Sequence, residues 1–152
     1  MPNVRPVEDF QMNRYLGTWY EIARLDHSFE RGLSRVTAQY SPKKGGGIHV
    51  VNRGYSERKR KWSQAIGRGY FRGPTHVASL KVTFFWPFYG SYLVFALDQD
   101  AYQWALVSGG SSKYLWILSR TPRIPDDLKR SLLEKAAAAG YDTSRLIFVE
   151  HP

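Results

Sequence analysis

Apolar and polar residues alternate along most of this chain, which is the spacing of half-buried β-strands. The alternating stretches are rich in β-branched and aromatic residues, and turn-forming Gly, Pro, Asp and Ser residues separate them. They predict eight strands, at residues 17–24, 34–41, 47–55, 62–71, 77–85, 90–98, 102–109 and 113–120. Eight strands at hairpin spacing are typical of a β-sandwich or an up-and-down barrel.

One helix is predicted after these strands, at residues 123–140. Pro125 and two acidic residues begin the stretch, and Gly140 ends it. Its apolar face is formed by Leu128, Leu132, Leu133 and Ala136. A ninth short strand follows within residues 144–151. The order of elements favours an all-β fold, an eight-stranded antiparallel up-and-down β-barrel with one C-terminal α-helix packed on its outside. Residues 1–152 are expected to form a single domain.

Composition excludes several kinds of site. The chain has 152 residues and no cysteine, which excludes disulfides, thiolate metal ligands and a cysteine nucleophile. No apolar run reaches the roughly 18 residues that span a bilayer. The four histidines are scattered, at positions 27, 49, 76 and 151, without the spacing of a metal site. We therefore expect no metal and no cofactor.

The net charge of +9 indicates an anionic partner or surface. Its densest cluster is the sequence ERKRKW at residues 57–62, which also suits a solvated hairpin tip. Nucleic-acid binding needs aromatic and basic residues interleaved on one exposed face. Here the aromatic residues alternate along predicted strands, and one face of each strand should be buried. A nucleic-acid partner is therefore not expected.

Three short motifs occur in order along the chain. They are Gly17-Thr18-Trp19, then Asp98, Asp100 and Tyr102 around a turn, then Arg120 at the end of the last barrel strand. With the helix after the third motif, the chain resembles the lipocalin family from about residue 9 onward. Within that family it is most similar to the bacterial outer-membrane members related to apolipoprotein D. The second motif departs from the family pattern, since Ala101 separates the acidic residue from the tyrosine.

The resemblance implies a barrel with a ligand cavity. Its expected function is non-covalent binding, storage or transport of small hydrophobic molecules, most of all fatty acids or lysophospholipids. Gly17, Trp19 and Arg120 would be scaffold residues, with Trp19 closing one end of the barrel and Arg120 lying across its indole. The chain is not expected to be an enzyme. The alternatives are a lipocalin-fold enzyme acting on a lipid or ester, with Glu21 as a buried base, and a binder of haem or a pigment.

Alternation along the strands predicts the cavity wall. If Arg120 points inward, Leu118, Trp116 and Tyr114 also point inward, while Ile117 and Leu115 face the helix. Together with the family pattern, the same alternation predicts these lining residues: Ala38, Tyr40, Val50, Asn52, Phe71, Leu80, Val82, Tyr92, Val94, Tyr114 and Trp116. A packed core has many of the same residues, but tyrosine and asparagine tips among apolar walls favour a cavity for an amphiphile.

The sequence FFWPFYG at residues 84–90 places five aromatic residues around a predicted turn. In an up-and-down barrel alternate hairpin tips share one end, so this turn should lie beside the basic tip at the open mouth. The predicted mouth or membrane contacts are Phe29, Arg58, Lys59, Arg60, Lys61, Phe85, Trp86 and Phe88. A lid over the cavity, a homodimer interface and an anionic membrane surface all suit these residues, and we favour the membrane.

The resemblance also implies a location. Bacterial relatives are typically exported by a signal peptide and anchored through a lipidated N-terminal cysteine, which implies the periplasm or the outer membrane. This sequence contains neither feature. We therefore expect either a trimmed mature domain or an unanchored member of the family.

Overall fold

The computed structural model describes residues 2–152. Its strands are β1 (Gly17–Leu25), β2 (Leu33–Pro42), β3 (Ile48–Ser56), β4 (Lys61–Phe71), β5 (Ser79–Phe85), β6 (Phe88–Leu97), β7 (Trp104–Ser108), β8 (Leu115–Ser119) and β9 (Leu146–Phe148). The helices are α1 (Met12–Tyr15) and α2 (Asp126–Ala138), and a 3-10 turn covers Thr143–Arg145. Over the described residues, no helix is both long enough and apolar enough to cross a membrane.

The first eight strands form a closed antiparallel barrel. Each strand pairs with the next in sequence, and β1 pairs with β2 on one edge and with β8 on the other. Each of the eight strands therefore has a hydrogen-bonded neighbour on both sides over at least part of its length. The predicted eight-stranded up-and-down barrel is therefore confirmed.

The turn between β5 and β6 is shorter than the sequence predicts. The predicted strands leave residues 86–89 as the turn, and this is wrong for residues 88 and 89, because β6 begins at Phe88 and Phe85 pairs with Phe88. Only Trp86 and Pro87 form the turn. The other aromatic residues of this stretch therefore belong to paired strands.

The C-terminal segment, residues 146–150, fills the gap where β1 and β2 separate. β9 pairs with β1 over Ala23–Leu25, beyond the four residues that β1 shares with β2. The Val149 N–H donates to the Ile22 carbonyl at 2.9 Å, and the Arg35 N–H of β2 donates to the Glu150 carbonyl at 2.8 Å. The end of the chain thus joins the barrel wall.

Helix α2 packs on the outside of the barrel, as predicted. Leu132 and Ala136 are buried against the outward faces of Ile117 and Leu115, which belong to β8. The helix begins after Pro125, and the positive φ of 99° at Gly140 terminates it two residues beyond Ala138. Alternation along β8 therefore follows the predicted inward and outward pattern.

One end of the barrel is closed by Trp19. Its indole is completely buried, and its Nε1 donates to the carbonyl of Tyr15 at 2.8 Å. The guanidinium carbon of Arg120 lies 3.8 Å from the centre of the Trp19 ring. Gly17 adopts a φ of 105°, and a Cβ there would lie 3.4 Å from an Arg120 nitrogen. A side chain at Gly17 would thus be strained and would crowd this cation–π contact.

Candidate functional site

The barrel contains a cavity of about 600 Å³ that opens at the end opposite Trp19. Eight of the eleven predicted wall residues line it: Ala38, Tyr40, Val50, Asn52, Val82, Tyr92, Tyr114 and Trp116. Strands β1 to β8 all contribute residues to the lining, because alternate side chains of a strand point inward. A pocket of this volume is in the usual range for small-molecule sites.

Three predicted wall residues, Phe71, Leu80 and Val94, do not line the cavity and instead pack into the core below it. Alternation predicts which face of a strand points inward, but not how deep the cavity reaches. The N-terminal segment crosses the closed end and brings Phe10 to within 6.3 Å of the Phe71 ring, measured between ring centres. The Val7 N–H also donates to the carbonyl of Val94. This segment fills the lower part of the barrel.

The cavity floor is a chain of three tyrosine hydroxyls. The hydroxyl of Tyr92 lies 2.7 Å from that of Tyr15 and 2.6 Å from that of Tyr40. Burial raises the pKa of all three phenols, so they stay neutral. The floor is therefore polar but uncharged, and its hydroxyls already bond to one another.

One side of the cavity carries polar side chains, which we call the polar wall: Glu21, His27, Glu30 and Trp116. A carboxylate oxygen of Glu30 accepts hydrogen bonds from His27 Nε2 at 2.7 Å and from Trp116 Nε1 at 3.0 Å. Burial alone would raise the pKa of Glu30, but hydrogen bonds from His27, Glu21 and Trp116 outweigh it and lower that pKa. Glu30 is therefore the charged member of the wall.

The pKa of Glu21 shifts in the opposite direction to that of Glu30. Burial and the neighbouring Glu30 carboxylate raise the pKa of Glu21, although Arg24 Nη1 donates to its Oε2 at 2.9 Å. Arg24 also donates to the carbonyls of Glu30 at 2.8 Å and Leu33 at 3.3 Å. Glu21 is thus held by an arginine. Within residues 2–152, no group of three His, Cys, Asp or Glu residues could hold a metal ion.

Four aromatic side chains at the mouth, which we call the aromatic rim, project into solvent. Phe29, Phe85, Trp86 and Phe88 expose 70, 63, 69 and 78% of their surface. All but Trp86 border the cavity opening. Arg58, Lys59, Arg60 and Lys61 lie on the exposed tip between β3 and β4 and do not line the cavity.

Two parts of the site do not follow from the alternation of apolar and polar residues. His27 and Glu30 lie in the loop between β1 and β2, where no alternation predicts which side chains turn inward. Tyr15 precedes the first predicted strand, in the short helix α1. The sequence of the β1–β2 loop contains aromatic and acidic residues, but they follow no regular period that would predict which of them point into the barrel.

Comparison with known proteins agrees with this geometry. Residues 10–151 match the family described as Lipocalin-like domain. The outer membrane lipoprotein Blc of Vibrio cholerae is 54% identical, over 97% of this chain and 86% of that protein. Blc of Escherichia coli K12 is 52% identical, over 98% of this chain and 84% of that protein. Apolipoprotein D of Bos taurus is 35% identical, over 79% of this chain and 66% of that protein.

Solved structures show the same fold at lower identity. Insecticyanin from the tobacco hornworm Manduca sexta superposes with a TM-score of 0.78 at 23% identity, over 99% of this chain and 86% of that one. Apocrustacyanin A1 from lobster superposes with a TM-score of 0.73 at 16% identity, over 99% and 92%. The barrel, the cavity and these sequence matches agree: the chain belongs to the lipocalin family, whose members bind small hydrophobic ligands.

Proposed function

We propose that this protein binds single-chain amphiphiles, long-chain fatty acids or lysophospholipids, non-covalently in the barrel cavity. The observation that carries the proposal is a cavity of about 600 Å³, closed at the Trp19 end, with apolar walls and one polar wall. Eight-stranded barrels, lipocalins among them, have room for one small ligand. One acyl chain suits that space better than two.

The distribution of polar groups supports an orientation for the ligand. Ala38, Val50 and Val82 offer apolar surface to an acyl chain, while His27 and Glu30 lie in the loop next to the mouth. We infer that the chain runs toward the tyrosine floor and that the head stays near the polar wall. The floor hydroxyls already form hydrogen bonds with one another, so they have little need of a polar ligand atom as a partner.

The same groups support binding rather than catalysis. Glu21 is the buried carboxyl most suited to act as a base, and its Oε2 accepts a hydrogen bond from Arg24. Members of the lipocalin family and the relatives named above are binding proteins rather than enzymes. A screen of acyl esters should show no turnover above that of buffer, and ester hydrolysis that is lost in Glu21→Gln would overturn this part of the proposal.

A fluorescence titration with saturated fatty acids from C8 to C18 tests the ligand class. Each added methylene should raise the affinity about fourfold until the cavity is full, because burial of one methylene contributes about 0.8 kcal/mol. A matched pair of variants tests the location. Ala65 lines the cavity and its neighbour Ile66 is exposed on the outer face, so Ala65→Trp should lower the longest chain accepted and Ile66→Trp should not. Equal affinity across the series would refute the proposal.

The head group is tested by comparison at one chain length. A fatty acid and the lysophospholipid with the same chain should both bind, whereas a two-chain phospholipid should bind far more weakly. Tight binding of the two-chain lipid would contradict a cavity for one acyl chain.

The relatives also support a location. Two proteins more than half identical to this chain are named outer membrane lipoproteins, so we infer that this protein works in the periplasm or at the outer membrane. Fractionation of cells that express the tagged full-length gene product would test this, and recovery in the cytoplasm alone would contradict it.

A further inference from the structure

The aromatic rim forms one patch that reaches across the mouth. Phe29 comes from the loop between β1 and β2, and the other three rim residues come from the β5–β6 hairpin. The rings of Phe29 and Phe85 stack with their centres 6.1 Å apart. A contiguous exposed apolar patch on a protein surface marks an interaction site.

A basic tip lies at the same end of the barrel. The register of β3 with β4 runs from Ile48 opposite Gly69 near the closed end to Ser56 opposite Lys61 at the mouth. The tip, residues 57–61, contains one acidic and four basic residues, so its formal charge is 4 − 1 = +3. All five residues are exposed.

We propose that the aromatic rim and the basic tip dock together on an anionic phospholipid bilayer, with the cavity mouth facing the lipid. Tryptophan and tyrosine favour the headgroup zone of a bilayer, and basic side chains are attracted to anionic lipid headgroups. Phe29, Phe85 and Phe88 border the cavity opening as well as the exposed patch. An amphiphile would then pass between the bilayer and the cavity without crossing bulk water.

The charge distribution favours a bilayer over a second copy of the chain. In a two-fold dimer the same patch contributes from both subunits. Two mouths brought together would thus bring together two tips of charge +3, which repel each other. A lid over the cavity is also disfavoured, because Trp86 and Phe88 remain 69 and 78% exposed. An anionic membrane satisfies the aromatic and the basic residues at once.

Co-sedimentation with vesicles tests the proposal. The vesicles are phosphatidylcholine alone and phosphatidylcholine with phosphatidylglycerol, each at low and at physiological salt. The wild type should partition to the anionic vesicles, less so as salt screens the charges. Trp86→Ala/Phe88→Ala should weaken partitioning by roughly tenfold or more, because two large apolar side chains are removed. The control Ile66→Ala removes an exposed apolar residue from the barrel wall and should have no effect.

The charge contribution has its own matched pair. Lys59→Gln/Lys61→Gln removes two charges at the mouth, and Lys43→Gln/Lys44→Gln removes two from the turn between β2 and β3 near the closed end. A basic residue close to an anionic surface contributes about fivefold, so the mouth variant should lose about 25-fold and the closed-end variant little. In addition, the emission of Trp86 should shift to the blue on anionic vesicles, and Trp86→Phe should abolish that shift.

Either of two results would overturn the proposal. The first is partitioning that ignores the rim variants and the lipid charge. The second is a concentration-dependent dimer that the rim variants dissociate, together with no vesicle binding by the wild type, which would assign the patch to a second copy of the chain. Fatty-acid binding by the rim variants is measured separately, so failure of membrane docking is distinct from failure of the cavity proposal.

Discussion

Arg24 and Glu21 lie three residues apart on β1, yet their side chains meet inside the protein, with Arg24 Nη1 2.9 Å from Glu21 Oε2. Strict alternation would place residues at i and i+3 of a strand on opposite faces. The register of β1 against β8 shifts between Glu21 and Ala23, which turns the two side chains to the same side. The side chains of Arg24 and Glu21 are only 2 and 5% exposed. A single bulge thus brings the side chains of Arg24 and Glu21 together at the polar wall of the cavity.

Arg24→Met should destabilise the protein by about 3–5 kcal/mol, because it leaves buried acceptors without their donor. The lost bonds include those to the carbonyls of Glu30 and Leu33, which hold the loop between β1 and β2. Urea unfolding at neutral pH measures the change. Arg31→Met is the matched control, since Arg31 pairs with Asp26 while 67% exposed and should cost about 1 kcal/mol or less. Equal losses in the two variants would contradict the structural role of Arg24.

Stability should fall with rising pH through the titration of Glu21. Because the folded state raises the pKa of Glu21, it binds the proton more tightly than the unfolded chain does. That contribution is fully present below the unfolded pKa and is lost as the pH rises through the folded pKa. Glu21→Gln keeps an acceptor for Arg24 and removes the titration. We therefore expect the free energy of unfolding of the variant, measured in urea from about pH 4 to pH 8, to increase relative to that of the wild type as the pH rises. A constant difference would refute the raised pKa.

Arg120→Lys should cost about 1–3 kcal/mol although the charge is kept. Arg120 donates to the carbonyls of Tyr102, Thr18 and Arg14 while lying over Trp19, and a lysine cannot present this planar set of donors. Thermal unfolding compares it with Arg130→Lys on the exposed side of α2, which should change stability by less than about 0.5 kcal/mol. Unchanged stability in Arg120→Lys would mean that charge alone closes this end.

Trp116 should report occupancy of the cavity. It lines the cavity and donates to Glu30, so a ligand that reaches the polar wall changes its surroundings. Fatty-acid addition should shift the tryptophan emission, Trp116→Phe should remove most of the shift, and Trp62→Phe on the outer surface should keep it. Trp116→Ala should weaken binding by roughly tenfold or more through lost apolar contact.

The neighbouring residue provides the negative control for this experiment. Ile117 points away from the cavity and packs against α2, so Ile117→Ala should lower stability without lowering ligand affinity. A larger loss of affinity in Ile117→Ala than in Trp116→Ala would mean that the ligand contacts the outward face of β8. That result would contradict a binding site inside the barrel.

The fold followed from the sequence because its signals are local. Alternation and turn residues predicted all eight barrel strands, and Pro125 and Gly140 bracketed the helix that forms at α2. Along β8, where no bulge intervenes, alternation also assigned Trp116 and Ile117 to the correct faces. These successes depend on regular strands with one face buried.

The site was harder to predict where regularity fails. The bulge in β1 turns Arg24 toward Glu21 against the alternation, and only the pairing with β8 reveals it. Leu80 and Val94 pack in the core below the cavity, and this depth depends on where the N-terminal segment packs. His27 and Glu30 take their positions from a loop without periodicity. The positions of all these side chains depend on long-range packing, which no single stretch of sequence specifies.

The pairing of β1 with β8 and with the C-terminal segment has a consequence for how the barrel assembles. The barrel can close only after β8 has been made, at residue 119, and β1 has its complete set of partners only after β9 has been made, at residue 148. Until then β1 offers unpaired N–H and C=O groups to any other strand. A nascent or truncated chain that ends before residue 146 is therefore the species most exposed to aggregation and most in need of a chaperone.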